Sequence, residues 1–229
     1  CIVIEINLLT NGEIESFKIH RAKIKSQARF SYNEVDEIYK NNIKNPFLPL
    51  VKCLYKTFYL LEKKSKKRGK INFELEEYNL KIFNDKKFIF EKKKNLDSYK
   101  LIEELMILAN TVVANLLITK KADAIFRNHE KPKKEKVLEL KTLLKEYNLN
   151  SLFSFNSQDD FNQAITMSKN LNYNFLNDSL VRCQSKAFYQ NLNKGHFGLA
   201  LKNYTHFTSP IRRYSDLVVH RSLLKVISN

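Results

Sequence analysis

The chain has 229 residues, enough for one large domain with a sizeable core. It carries 40 lysines and arginines against 24 aspartates and glutamates, a formal charge of +16. That balance fits a polyanionic partner, nucleic acid above all, although a lysine-rich surface also serves solubility alone. Three widely spaced cysteines, Cys1, Cys53 and Cys183, speak against a disulfide framework or a CxxC metal site and fit a reducing cytoplasm. No stretch reaches the roughly 18–20 consecutive apolar residues of a membrane helix, and no membrane partner is expected.

Residues 1–9 and 13–25 read as a hairpin turning at Asn11-Gly12. The chain opens on CIVIEINLL without Met, as a strand entered midway, so it is expected to be a piece of something longer. A short helix is predicted from Asn33. A longer one is predicted after Pro46, stopping at a basic turn and Gly69. Residues 70–75, 78–83 and 87–91 are predicted strands. Asp97 or Ser98 should cap a helix running to about Thr119, apolar on nearly every side and therefore expected to be central and buried. An extended stretch at 124–130 and a helix from Pro132 to about Asn148 follow. Two further helices are predicted at 158–169 and 175–190. The expected class is α+β, with antiparallel sheet segments packed around the central helix.

Residues 196–221, HFGLALKNYTHFTSPIRRYSDLVVHR, carry the strongest signal. Ser209 is a good N-cap and Pro210 suits the first helical position, so a helix is predicted to start there. Arg212 and Arg213 would then sit in its first turn, where unpaired N–H groups and two guanidinium forks favour a phosphate. The same spacing also allows a plain ion pair between Arg212 and Asp216.

The string resembles the signature of the ribonuclease II / ribonuclease R (RNB) exoribonucleases. Four further segments are similar to that family: IKSQARFSYNEV (24–35), GKINFELEE (69–77), LIEELMILAN (101–110) and AIFRNHEKP (124–132). The resemblance implies a processive 3′→5′ exoribonuclease that hydrolyses single-stranded RNA to nucleoside 5′-monophosphates. Residues 1–229 correspond to the C-terminal two-thirds of its catalytic domain. Arg212 is the arginine implied to hold the scissile phosphate. Phe73 matches an aromatic that stacks on a base, and Tyr32 a tyrosine that positions the 3′-terminal nucleotide. Glu103 is implied to contact the terminal sugar, which would distinguish RNA from DNA. Helical geometry places Glu103 on the face of Ile107 and Asn110, with Glu104 turned to solvent. His206, Thr208, Ser209 and Arg213 lie close enough in sequence to touch phosphate oxygens.

No HxxxH, HxH or HExxH spacing points to a metal, and no metal ligand is assigned in this chain. The family's Mg²⁺-binding aspartates lie upstream of the segment where this chain begins, so Mg²⁺ is expected with ligands outside it. Cold-shock and S1 domains are likewise outside. Single-stranded RNA is the implied partner, with an RNA helicase or degradation complex as candidate protein partners. A non-catalytic RNA-binding or protein-interaction module is the alternative, should the chain be complete.

Overall fold

The computed structural model describes residues 1–73, 78–83, 87–92, 95–149, 153–171 and 173–228. The hairpin forms as predicted, from β1 (Ile2–Leu8) and β2 (Ile14–Arg21), with Ile4 opposite Ile19 and Ile6 opposite Phe17. Gly12 turns it at φ 80°, in the left-handed region, and an added Cβ would meet the Leu60 carbonyl oxygen at 3.3 Å. Helix α1 (Tyr32–Lys40) starts one residue before the predicted Asn33. Its capping box joins Ser31 and Glu34. Helix α2 (Leu48–Arg68) has Pro49 in its first turn and ends on Gly69, left-handed at φ 91°.

A second antiparallel pair, β3 (Tyr78–Phe83) and β4 (Lys87–Lys92), occupies the next predicted strands. The strand predicted at 70–75 does not form over residues 70–73. There the Ile71 N–H donates to the Gly198 carbonyl and the Asn72 N–H to Asn162 Oδ1, so the segment is a strap between Asn162 and the signature. Residues 74–75 lie outside the described residues.

Helix α3 (Asp97–Thr119) has the predicted span but no side-chain cap of its own; Leu96 precedes it as N-cap. A carboxylate from α1 takes that role, Asp36 Oδ1 accepting the Ser98 N–H at 2.9 Å. By length and composition α3 could cross a membrane, contrary to the sequence reading. Its apolar residues are used inside the fold, where it packs on α1, α2 and the final helix of the chain. It is not enclosed on every side, since Ile102 and Ile118 are each 38% exposed.

Strand β5 (Phe126–Asn128) pairs antiparallel with β6 (Phe188–Gln190). Helices α4 (Lys134–Glu146) and α5 (Gln158–Asn170) match prediction, and α5 begins on a Ser157–Asp160 capping box. Helix α6 (Asn174–Cys183) stops well short of 190. Gln184 is extended, Ser185 Oγ donates to the Lys131 carbonyl, and the chain is drawn into β6. Local helical spacing gave no warning of that pairing with β5.

Three apolar clusters form the core. One gathers Ile71, Leu140, Leu144, Phe161, Leu176 and Leu180 between α4, α5 and α6. Another joins Val113, Ala114 and Leu117 of α3 to Phe126, Phe207, Val219 and Leu223. The third joins Leu101 to Ile38, Val51, Tyr55 and Phe58. Helix α3 is therefore shared by two of them, and it presents residues 103–110 where the signature segment crosses.

Candidate functional site at the signature turn

The final helix, α7 (Tyr214–Ile227), begins four residues later than Ser209 and Pro210 predicted. Residues 209–213 instead close a separate turn, in which the Arg212 and Arg213 N–H groups both donate to the Ser209 carbonyl, at 3.3 and 3.1 Å. Arg213 is then extended (φ −128°, ψ 119°) and serves as N-cap residue without a side-chain cap. Neither arginine lies in the first helical turn; both belong to the turn that precedes the helix.

Asp216 decides this geometry. Its carboxylate is wholly buried; Oδ1 accepts the Ser209 N–H at 2.8 Å and Arg213 Nη2 at 2.7 Å, and Oδ2 accepts Ser215 Oγ at 3.2 Å. Burial alone would raise its pKa, but Arg213 and the Ser209 N–H outweigh that and hold it below the usual carboxylate value. The Arg212–Asp216 pair allowed by spacing does not form. Arg212 stays exposed, and among the described residues its side chain makes only a long 3.5 Å contact to Ser209 Oγ. Thr208 Oγ1 and Arg213 Nε are buried without a hydrogen-bond partner among the described residues.

Asn110 of α3 holds the strand leading into this turn. Its Oδ1 accepts the Phe207 N–H at 2.9 Å and its Nδ2 donates to Tyr204 Oη at 3.1 Å. Beyond it, a row of rings runs His129–His196–Tyr204–His206–Tyr189, with successive centroids 4.9, 5.2, 5.6 and 5.7 Å apart. Burial, then the neighbouring imidazole and arginine charges, pushes His196 down to about 3. His206 falls to about 4 through burial and the charges of Arg213, Arg127 and Arg212, which outweigh Asp216. Both are neutral at pH 7.

Glu103 and Glu104 are placed the opposite way to the helical projection. Glu104 is 6% exposed overall, while the Glu103 side chain is 53% exposed. Lys70, on the strap, joins the two, reaching Glu103 Oε1 at 2.6 Å and Glu104 Oε1 at 2.8 Å. Its charge is held by these two carboxylates against the cost of burial. The Tyr32 ring lies against Tyr99, one turn before Glu103, with centroids 4.2 Å apart and planes tilted by 36°, and the Tyr32 carbonyl accepts Ser98 Oγ at 2.9 Å. Phe73, half-buried and not on a strand, packs against the cluster containing Ile71 and Phe161.

The predicted residues thus form two groups. His206, Thr208, Ser209, Arg212 and Arg213 share the turn, whereas Tyr32 and Glu103 share the exposed side of the α3 N-terminal half. Tyr204 links them, its hydroxyl feeling the charges of Arg213, Glu103 and Lys70. Phe73 joins only through the strap that carries Lys70.

An RNB domain match runs over residues 1–229, the whole chain. The chain belongs to the RNB family. Ribonuclease R of Escherichia coli (strain K12) is 36% identical over 233 aligned positions, which cover 97% of this chain and 28% of that protein. Ribonuclease R of Vibrio cholerae is 35% identical, covering 100% of this chain and 29% of its own. The apo form of Mycoplasma genitalium RNase R shares the fold with a TM-score of 0.88 at 30% identity, covering 97% of this chain and 36% of that one. The same Mycoplasma protein in complex with ribose methylated single-stranded RNA matches equally, at 0.88. The chain therefore spans about a third of the length of these RNB relatives.

Within this RNB domain, sequence reasoning missed Asp216, Lys70 and Asn110 as organisers. Asp216 stood in the signature, seven residues from Ser209, but only the fold turns that spacing into a contact. Lys70 sits beside Gly69 at a helix end, where a lysine reads as an ordinary stop signal.

Proposed function

We propose that this RNB domain is part of a processive 3′→5′ exoribonuclease that hydrolyses single-stranded RNA to nucleoside 5′-monophosphates in the cytoplasm. The observation that carries the reading is the turn at 209–213, where one arginine is locked by a buried carboxylate and its neighbour is left exposed. Arg212 then meets the scissile phosphate with a free guanidinium, whose planar fork fits two oxygens and gains as charge develops on them. Arg213 and Asp216 hold the turn in shape beforehand, so little reorganisation is needed. Ser209 lines the same turn and offers its hydroxyl to a phosphate oxygen, whereas the Thr208 hydroxyl expected to do the same is buried. His206, neutral at pH 7, offers a hydrogen bond rather than a charge.

Glu103, exposed and steadied by Lys70, accepts from the 2′-hydroxyl of the terminal ribose, a contact DNA lacks. Tyr32 and Phe73 supply aromatic surface for bases, which any sequence can use. The supporting relative is the Mycoplasma RNase R, whose solved complexes contain single-stranded and double-stranded RNA.

The Mg²⁺ implied by the resemblance does not fit the side chains at hand. Among the described residues no three His, Cys, Asp or Glu groups gather as a metal site. Glu103 and Glu104 are taken by Lys70, and Asp216 by Arg213. Our reading keeps the ligands upstream of Cys1, with cold-shock and S1 domains also outside the chain, and routes no step through the metal. A helicase or degradation complex remains part of the proposal only as a class of partner.

The test is polarity. Intact protein is incubated with 5′-labelled single-stranded RNA and Mg²⁺. Shortening from the 3′ end with release of mononucleotides is expected. Tight RNA binding with no shortening would overturn the enzyme reading in favour of a binding module.

A further inference from the structure

Arg127 lies in the middle of β5, directly opposite Tyr189 of β6. Its guanidinium carbon sits 4.7 Å from the Tyr189 ring centroid. Tyr189 Oη and His206 Nδ1 are hydrogen-bonded at 2.7 Å, and the Arg127 N–H donates to the Tyr204 carbonyl at 3.0 Å. Side chain and backbone together thus fasten Arg127 to the segment that ends in Arg212.

The guanidinium itself is unmatched. Among the described residues it has no hydrogen-bond acceptor and no carboxylate partner. Stacking occupies one face of the group and leaves its edge, where all five N–H donors point, free. Its charge also reaches His206, as do those of Arg212 and Arg213. Asp216 is the carboxylate acting there, and it is already filled by Arg213, Ser209 and Ser215. Glu130 and Glu103, on adjoining segments, are held by Lys194 and Lys70. Arg127 lies over Tyr189, whose hydroxyl is hydrogen-bonded to His206 at the head of the Arg212 turn, and the carboxylate of that turn is already spent on Arg213, so an anion completes the site.

We propose that Arg127 is a second phosphate-binding arginine, backed by Tyr189, which takes the RNA phosphate neighbouring the one held by Arg212. This rests on the RNA reading of the Arg212 turn. A structural arginine would have its donors bonded to carbonyls or a carboxylate, as Arg68 has to Leu199 and Ser65. Arg127 instead presents an open fork on a rigid strand pair.

The experiment measures affinity of the intact protein for single-stranded RNAs in which one phosphodiester at a time, counted from the 3′ end, is a neutral methylphosphonate. Unsubstituted protein should lose affinity at several linkages. Arg127→Gln should become indifferent to one of them and Arg212→Gln to its neighbour. The salt dependence of log K for Arg127→Gln should weaken by about 0.7, one single-strand phosphate contact. Arg127→Lys should restore the slope while binding more weakly, because an ammonium has no fork. A second measurement needs no substitution: bound RNA should protect Arg127 from phenylglyoxal, read by peptide mass. If Arg127→Gln keeps the full linkage profile, or Arg127 reacts equally with and without RNA, the assignment is wrong. If only Arg212→Gln loses its linkage, this inference alone falls. If the unsubstituted protein ignores every linkage, the RNA reading falls with it.

Discussion

Arg213 donates through Nη2 to Asp216 Oδ1 at 2.7 Å, three residues along the chain, with the carboxylate fully buried and the arginine side chain 23% exposed. This pair separates two adjacent arginines into different jobs. Arg213 is part of the scaffold, and Arg212 is what the scaffold displays.

The two should therefore fail differently on mutation. Arg212→Ala is expected to leave the melting temperature nearly unchanged and to lower single-turnover cleavage by about 10²–10³, the usual loss for one preorganised donor. Arg213→Ala leaves the buried Asp216 carboxylate without its cation, held only by the Ser209 N–H and Ser215 Oγ, and should destabilise by about 3–5 kcal/mol. Thermal melts beside single-turnover rates check both. Equal stability losses for the two variants would remove the distinction between scaffold and displayed group.

Acid should weaken the site in a defined window. His206 has its pKa lowered to about 4, against about 6.5 in the unfolded chain. Its contribution to stability is complete above about pH 6.5 and is lost as pH falls through about 4, because only the unfolded state takes up the proton in between. His206→Gln should flatten the denaturation midpoint over that window. A bound RNA phosphate, countering Arg212, Arg213 and Arg127, should raise the His206 value, which imidazole NMR titration would show. A histidine titrating at its ordinary value with and without RNA would contradict the burial described for it.

Glu103 and Glu104 offer a direct comparison. Glu103→Ala removes an exposed carboxylate and should change stability by no more than about 0.5 kcal/mol. It should also narrow the preference for RNA over a deoxy-terminated oligomer. Glu104→Ala removes a buried side chain and one of the two carboxylates on Lys70, Glu103 remaining, and should cost more than Glu103→Ala, about 1–3 kcal/mol. Urea melts and matched cleavage assays separate the effects; an unchanged RNA-to-DNA ratio for Glu103→Ala would make it a helix-start acid only.

The 229-residue chain by itself is expected to hydrolyse no RNA, because no metal-holding group of side chains gathers among its described residues. Purified chain with labelled RNA and Mg²⁺ tests this. Mononucleotide release that follows the protein peak through purification would show a metal seat within these residues.

Much of the local structure was legible from residue order alone. The β1–β2 hairpin, the capped starts of α1 and α5, and the glycine end of α2 depend on contacts within a few residues, which sequence records directly. The family was legible too, because the signature is long and its residue types are few. What tertiary structure decided were the places where a distant group outbid a local signal. Ser209-Pro210 reads as a helix start, yet Asp216 folds back to bind the Ser209 N–H and delays α7 to Tyr214. Helical projection turns Glu103 inward, yet it is Glu104 that is buried, with Lys70, 34 residues away, paired to its carboxylate. The 175–190 stretch reads as helix, yet pairing with β5 pulls 188–190 into a strand. A charge or an unpaired backbone group must be satisfied wherever burial puts it, and its partner is chosen by proximity in the fold, which no local window of sequence contains.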